Sequence, residues 1–218
     1  MPGNEALPIL SSVENLKYLP RDTSTNDIVN LLSDIKHRIF PRPFERLSSL
    51  SKKENLIGVE IGVAGGEHAL SLLENLHIKK LYLIDPYELY ETYGEGISLY
   101  GIDQRDLLAT EKSAKEKLKK YASQIVWIKK VSSNAIPDII EKLNFVYIDG
   151  NHQESFVVDE IAKYFPLLDA DGVIGGHDFY NGFQREHDGV ISAVSSFIAR
   201  SGMQLRVELP DWWVETKN

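Results

Sequence analysis

Short apolar runs alternate with longer segments whose apolar residues recur every three or four positions, and this alternation organises most of the chain. Leu56–Ile61, Lys80–Ile84, Ile125–Ile128 and Phe145–Ile148 have strand length, and Val173–Gly175 opens a fifth strand. Gln204–Leu209 and Trp212–Thr216 add two more around a turn at Pro210-Asp211. Between the strands the spacing predicts helices over Glu67–Leu76, Asp103–Tyr121 and Val190–Arg200, with a short one over Ala135–Lys142. A further helix carries Val157, Ile161, Phe165 and Leu168, spaced by four, four and three, before a turn at Asp171-Gly172. Upstream, Ile28, Leu31, Leu32, Ile35 and Ile39 share one face of a helix that starts near Ser24 and ends at Pro41 and Pro43. Residues before it, broken by Pro2, Pro8 and Pro20, read as an irregular arm.

Buried strands alternating with amphipathic helices imply parallel βαβ units with helices on both faces of the sheet. Such sheets bind ligands beyond the carboxyl ends of their strands. Asp85, Asp149 and Asp178 stand at the ends of the second, fourth and fifth strands, and a glycine turn ends the first. Singly, each aspartate is explained as a turn former. Three of them on one rim beside a glycine turn argue for a site.

The glycine turn runs Gly62-Val63-Ala64-Gly65-Gly66. Its Gly-x-x-Gly-Gly spacing is not the Gly-x-Gly-x-x-Gly of dinucleotide folds, and no Gly-Lys-Ser/Thr follows, which excludes a phosphate-cradling P-loop. Asp85 lies 23 residues after Gly62, where a carboxylate can accept ribose hydroxyls. Further on, Asp149-Gly-Asn-His152 places a carboxylate and an imidazole three residues apart, and His177-Asp178 repeats the pair at the next strand end. Neighbouring strands lie ~4.8 Å apart, so both pairs can share one site. A hydroxyl is a poor nucleophile near neutral pH; an imidazole can take its proton, and a divalent cation can lower its pKa.

Val-Glu-Ile-Gly-Val-Ala-Gly-Gly followed by Ile-Asp-Pro-Tyr resembles the first two motifs of class I S-adenosylmethionine-dependent methyltransferases. Phe145-Val-Tyr-Ile-Asp-Gly-Asn-His152, Pro166-Leu-Leu and Gly172-Val-Ile-Gly-Gly-His-Asp178 resemble the small-molecule O-methyltransferase branch, which includes macrolide-sugar and catechol-type enzymes and family 24. The resemblance covers residues 55–217 and implies an α/β, Rossmann-like, doubly wound sheet of seven strands, mostly parallel with an antiparallel last strand. Residues 1–50, an arm and helix outside the resemblance, are expected to cover the site or a subunit contact, and 51–218 to form the methyltransferase domain.

That resemblance puts Glu60 and Gly62, Val63, Ala64, Gly65 and Gly66 against the methionine part of S-adenosyl-L-methionine. It puts Asp85 on the ribose and Ser132-Ser133 beside the adenine, where many relatives carry an acid. Asp149 and Asp178 become metal ligands for Mg2+ or Mn2+, with Asp149 also near the cofactor, and His152 becomes the general base. His177 stands where several metal-dependent relatives carry an acid; it either joins the metal shell, which favours Mn, Zn or a site without metal, or lies outside the shell or contacts the acceptor.

The remaining features narrow the partners. Tyr87, Tyr90, Tyr93 and Tyr100 lie in a glycine-rich stretch that leaves the rim as a lid or as a packed surface loop, and Phe179–Glu186 is a second acceptor-loop candidate. Trp212-Trp213 reads as core and interface, and His68, His77 and His187 as surface or loop residues. A net charge of -8 disfavours nucleic acid and anionic membrane. The absence of cysteine excludes disulfides and thiolate sites. No signal-peptide pattern and no apolar run of ~20 residues occurs, so a cytoplasmic protein is expected. The expected partner is a small hydroxylated acceptor, a sugar, phenol or secondary metabolite, and the expected assembly a homodimer. Two alternatives stand beside O-methylation: a noncatalytic or regulatory S-adenosylmethionine-binding protein, and an NAD(P)-dependent reductase, which lacks its Gly-x-x-x-Gly-x-Gly turn and Tyr-x-x-x-Lys pair.

Overall fold

The computed structural model describes residues 42–89, 103–179 and 188–217. Each apolar run lies in a strand: β1 (Leu56–Ile61), β2 (Ile78–Ile84), β3 (Ile125–Ile128), β4 (Leu143–Ile148), β5 (Leu168–Gly176), β6 (Arg206–Glu208) and β7 (Asp211–Glu215). They form one sheet in the order β3-β2-β1-β4-β5-β7-β6. β1 to β5 are parallel, and β7 pairs antiparallel with both β5 and β6. The chain walks outward from β1 to β3, then returns to place β4 on the other side of β1. The switch point between β1 and β4 is where such sheets open a ligand crevice.

The longer helices are α1 (Glu67–Asn75), α2 (Gln104–Lys117), α3 (Glu154–Tyr164) and α4 (Asp188–Ser201). Strand residues alternate between two cores, as a period of two requires. Val59, Ile61, Val146, Ile148 and Trp212 meet Val157 and Ile161 of α3 and Val194 of α4 on one face. Phe145, Tyr147, Leu81, Leu83 and Trp213 meet Leu72 and Leu73 of α1 and Leu118 after α2 on the other. The sheet is therefore covered on both sides.

Three expectations are corrected. The Ala135–Lys142 helix is instead one α-turn, Ser132–Ala135, running into a 3-10 turn, Ile136–Asp138. Pro137 lacks the N–H that a longer helix needs, and Ile139 is already extended. Leu168 belongs to β5 and not to the preceding helix, because Pro166 ends the α-helical ladder at Tyr164. The turn at Asp171-Gly172 survives only as an interruption within β5: the register jumps from Leu143↔Leu168 to Phe145↔Val173.

Upstream of β1, a 3-10 turn, Pro43–Arg46, and an α-turn, Ser48–Ser51, pack onto the sheet. The buried Phe44 ring meets Phe145 edge-on at 6.0 Å and Tyr147 at 5.0 Å. The helix expected from Ser24 to Ile39, residues 90–100 of the tyrosine-rich stretch and residues 180–186 of the second acceptor loop lie outside the described residues. Among the described residues no helix is long and apolar enough to cross a membrane.

Candidate active site

At the end of β1 the backbone must turn while touching β4. Gly62 has φ +84°, and a Cβ there would stand 2.0 Å from the carbonyl oxygen of Asp149. Only glycine fits that approach. The loop that follows is clamped by Asp85. Its Oδ2 accepts the amides of Val63 and Ala64, each at 3.0 Å, and Oδ1 accepts the amide of Tyr87 at 2.9 Å. Burial pushes the Asp85 carboxyl up, and these three amides oppose that shift. Tyr87 donates from its hydroxyl to the Ala64 carbonyl at 2.9 Å, and its ring lies in the core. It is part of the clamp and not a lid aromatic, which corrects its expected place. Gly65 and Gly66 complete the turn into α1, with Gly66 at φ +79°.

Ala64, Tyr87 and Asp178 all have positive φ, at 44°, 46° and 60°. Left-handed backbone costs a non-glycine residue ~1–2 kcal/mol, and three of the four such residues among those described follow strand ends on one rim, the fourth, Asn55, preceding β1.

Under the loop lies a buried polar cluster with little signal in the sequence. Glu60 is 1% exposed; its Oε1 meets His68 Nδ1 at 2.9 Å, and its Oε2 is buried without a hydrogen-bond partner. Burial holds its carboxyl well above the usual carboxylate range. The second ring nitrogen of His68 stands 3.4 Å from Glu45, which also accepts from Ser71 at 2.8 Å and Asn75 at 3.2 Å. His68 is thus corrected from a surface residue to a buried bridge between two glutamates, because position two of α1 faces the sheet. His77 is exposed, as expected, and His187 lies outside the described residues.

The expected chemical residues meet at the ends of β4 and β5. Asp178 bridges two imidazoles, with Oδ2 2.9 Å from His152 Nε2 and Oδ1 3.1 Å from His177 Nδ1. Burial alone would raise its carboxyl, but the two histidines outweigh that and hold it well below the usual range. Asp149 Oδ1 lies 4.0 Å from His152 and 3.9 Å from His177, while Oδ2 pairs with Arg42 at 2.8 Å. Asp149, His152 and Asp178 each offer one donor atom within 4.8 Å of the others, the spacing of a cation site. His177 touches both carboxylates, yet that donor cluster forms with His152 and not with His177. Gly189 lets α4 pack directly on the turn that carries His152: a Cβ there would stand 2.4 Å from the His152 carbonyl oxygen.

Beside this rim, Ser132 is buried and donates to Glu160 Oε1 at 2.7 Å, while Tyr164 donates to its carbonyl at 2.8 Å. Ser133 is half-buried next to it. An acid therefore does stand near the expected adenine edge, but α3 supplies it. Burial pushes Glu160 up to about 7, against the Ser132 hydrogen bond. A carboxyl raised in the folded state leaves the folded chain holding more protons than the unfolded one between about pH 4.5 and 7. Its favourable contribution is present below that window and is lost as pH rises through 7. Glu160→Gln, which keeps an acceptor for Ser132, is expected to gain ~1–3 kcal/mol relative to the wild type on going from pH 5 to pH 8. Urea unfolding at the two pH values checks this; an equal effect at both would contradict it.

A family model described as a methyltransferase domain matches residues 59–179. The uncharacterised protein R132 of Acanthamoeba polyphaga mimivirus is 26% identical over 180 residues, 76% of this chain and 72% of the relative. Among solved structures, the O-methyltransferase NovP is 14% identical with a TM-score of 0.56, over 75% of this chain and 72% of its own. The S-adenosylhomocysteine-bound methyltransferase PaMTH1 of Podospora anserina is 14% identical with a TM-score of 0.54, over 92% of this chain and 99% of its own. At such identities the structural likeness is one of fold.

Proposed function

We propose that this chain, which belongs to the family of methyltransferase domains, moves a methyl group from S-adenosylmethionine to a hydroxyl of a small molecule. The observation that carries the reading is the His152–Asp178 pair, 2.9 Å apart, on the same rim as the glycine loop and its Asp85 clamp. When bound, the cofactor supplies a methyl group whose bond to a positively charged sulfur breaks with the electron pair left on sulfur.

The residues present fit that cofactor. Glu60 Oε2 is a buried acceptor lacking a hydrogen-bond partner beneath the loop, suited to an ammonium group. Asp85 already takes three amides, so about one of its four lone-pair sites remains for a ribose hydroxyl. Ser133, half-buried, is the member of the pair left for the adenine, since Ser132 is committed to Glu160.

Asp178 fixes the His152 proton on Nε2, placing the basic lone pair on Nδ1, and stabilises the imidazolium formed when His152 takes the acceptor's proton. His177, on the other oxygen, holds that carboxylate in place. Asp149 and Asp178, with His152 beside them as the base, are the residues that would hold a divalent ion, Mg2+ or Mn2+, able to lower the pKa of an acceptor hydroxyl. Exhaustive chelation is expected to slow turnover, and full activity in chelator removes the ion from the reaction.

The test is incubation with methyl-labelled S-adenosylmethionine and a panel of sugars and phenols. Label is expected on oxygen, matched mole for mole by S-adenosylhomocysteine. Label on nitrogen or carbon, or none across the panel, would argue against an O-methyltransferase.

A further inference from the structure

Among the described residues before the domain's first strand, Arg42 reaches the reacting end of the site. We propose that Arg42 is a positioning residue: its guanidinium supplies the positive charge that holds Asp149 in place and competes with divalent cations for that carboxylate. The proposal rests on the assignment above of Asp149, His152 and Asp178 to that end of the site.

Arg42 is 13% exposed, and its Nη1 donates to Tyr147 Oη at 2.7 Å and to Asp149 Oδ2 at 2.8 Å. The guanidinium carbon stands 5.5 Å from the centre of the Tyr147 ring. Burial works against this charge, but Tyr147 and Asp149 outweigh it and strengthen the hold on its proton. The anchor is closed on itself. Tyr147 donates to Asp211 Oδ1 at 2.8 Å, and Asp211 Oδ2 accepts the backbone amide of Phe44 at 3.2 Å, two residues along from Arg42. A side chain tied at both its tip and its root is poorly explained as a surface ion pair, which is worth little and is easily rearranged.

The consequence lies in how Asp149 is shared. Both imidazoles stand 3.9–4.0 Å from Oδ1, whereas the guanidinium sits at 2.8 Å on Oδ2. Arg42 thereby fixes the carboxylate with Oδ1 turned toward the histidines. It also neutralises one of the two acids that a cation would use. A divalent ion approaching Asp149, His152 and Asp178 meets a fixed positive charge a few ångströms away, at a partly buried position where solvent screens poorly.

Mn2+ titrated into the full chain, with free Mn2+ read by electron paramagnetic resonance, tests this without acceptor or turnover. Arg42→Gln is expected to tighten Mn2+ binding by about tenfold or more, and Arg42→Lys, which restores the charge, to stay within about threefold of the wild type. S-adenosylmethionine affinity and a cooperative melt report that each variant is folded. Should Arg42→Gln not fold, Tyr147→Phe removes one of Arg42's two anchors and is expected to tighten Mn2+ by about threefold. Unchanged or weaker Mn2+ binding in the folded variant overturns the proposal. With an acceptor in hand, Arg42→Gln lowers kcat and leaves the KM for the cofactor unchanged; the reverse split also overturns it. A wild type that transfers no methyl group counts against the proposed reaction and leaves the Mn2+ result standing.

Discussion

Replacing His152 with alanine is expected to lower the rate of methyl transfer by roughly 10²–10⁴-fold while leaving S-adenosylmethionine affinity within about twofold. The split follows from where the ring sits. His152 follows β4 and is bound to Asp178 at the end of β5, whereas the glycine loop and its clamp are built from β1 and β2. Removal of the ring takes away the proton acceptor and leaves the loop intact. Asp178→Asn keeps the shape but withdraws the negative charge that steadies the imidazolium, so a loss of similar direction and smaller size is expected. Single-turnover rates with a labelled cofactor measure both. Unchanged chemistry in His152→Ala would remove this histidine from the reaction.

Gly62→Ala is expected to be the most damaging small substitution at the rim, at a cost of ~2–5 kcal/mol. Two effects act together: alanine resists φ +84°, and its methyl group would lie 2.0 Å from the Asp149 carbonyl oxygen, a backbone atom that moves only if β4 moves. The displacement would reach Asp149 itself and the amides held by Asp85, so cofactor affinity should fall with stability. Gly65→Ala is the control. The three atoms nearest to a methyl group there all belong to the Glu67 carboxylate, the far end of a side chain that pairs with Lys117 and can shift without moving backbone, and ~1 kcal/mol or less is expected. Urea unfolding midpoints compare the two, and equal effects would contradict the close approach of β1 and β4.

Strand periodicity was legible along the chain because it is local. Runs such as Leu56–Ile61 and Phe145–Ile148 declare themselves strands by length and apolar content, and Asp85, Asp149 and Asp178 declare their rim by closing strands. The meeting of Asp149, His152, His177 and Asp178 followed from the spacing of neighbouring strands. Helix ends were less legible where proline decided them, as Pro137 and Pro166 did. The contacts made by Arg42, Phe44 and Glu45 were hidden for a different reason. Their partners, Asp149, Asp211 and Ser71, lie 107, 167 and 26 residues away, and no short motif encodes such pairs. His68 carried one available signal: it shares α1 with the inward-facing Leu72 at a spacing of four. Ser132 shows a different case, in which the expected residue is in place but its hydroxyl is spent on Glu160.

Equilibrium binding of S-adenosylmethionine to the wild type and to Asp85→Ala tests most directly whether the loop after β1 and the carboxylate after β2 hold one adenosyl ligand. Saturation at one site is expected for the wild type, displaced by S-adenosylhomocysteine and not by NAD. The variant, with three loop amides released and the ribose contact gone, should bind ~100-fold more weakly or beyond measurement. Equal affinity in the two proteins, or displacement by NAD, would contradict it.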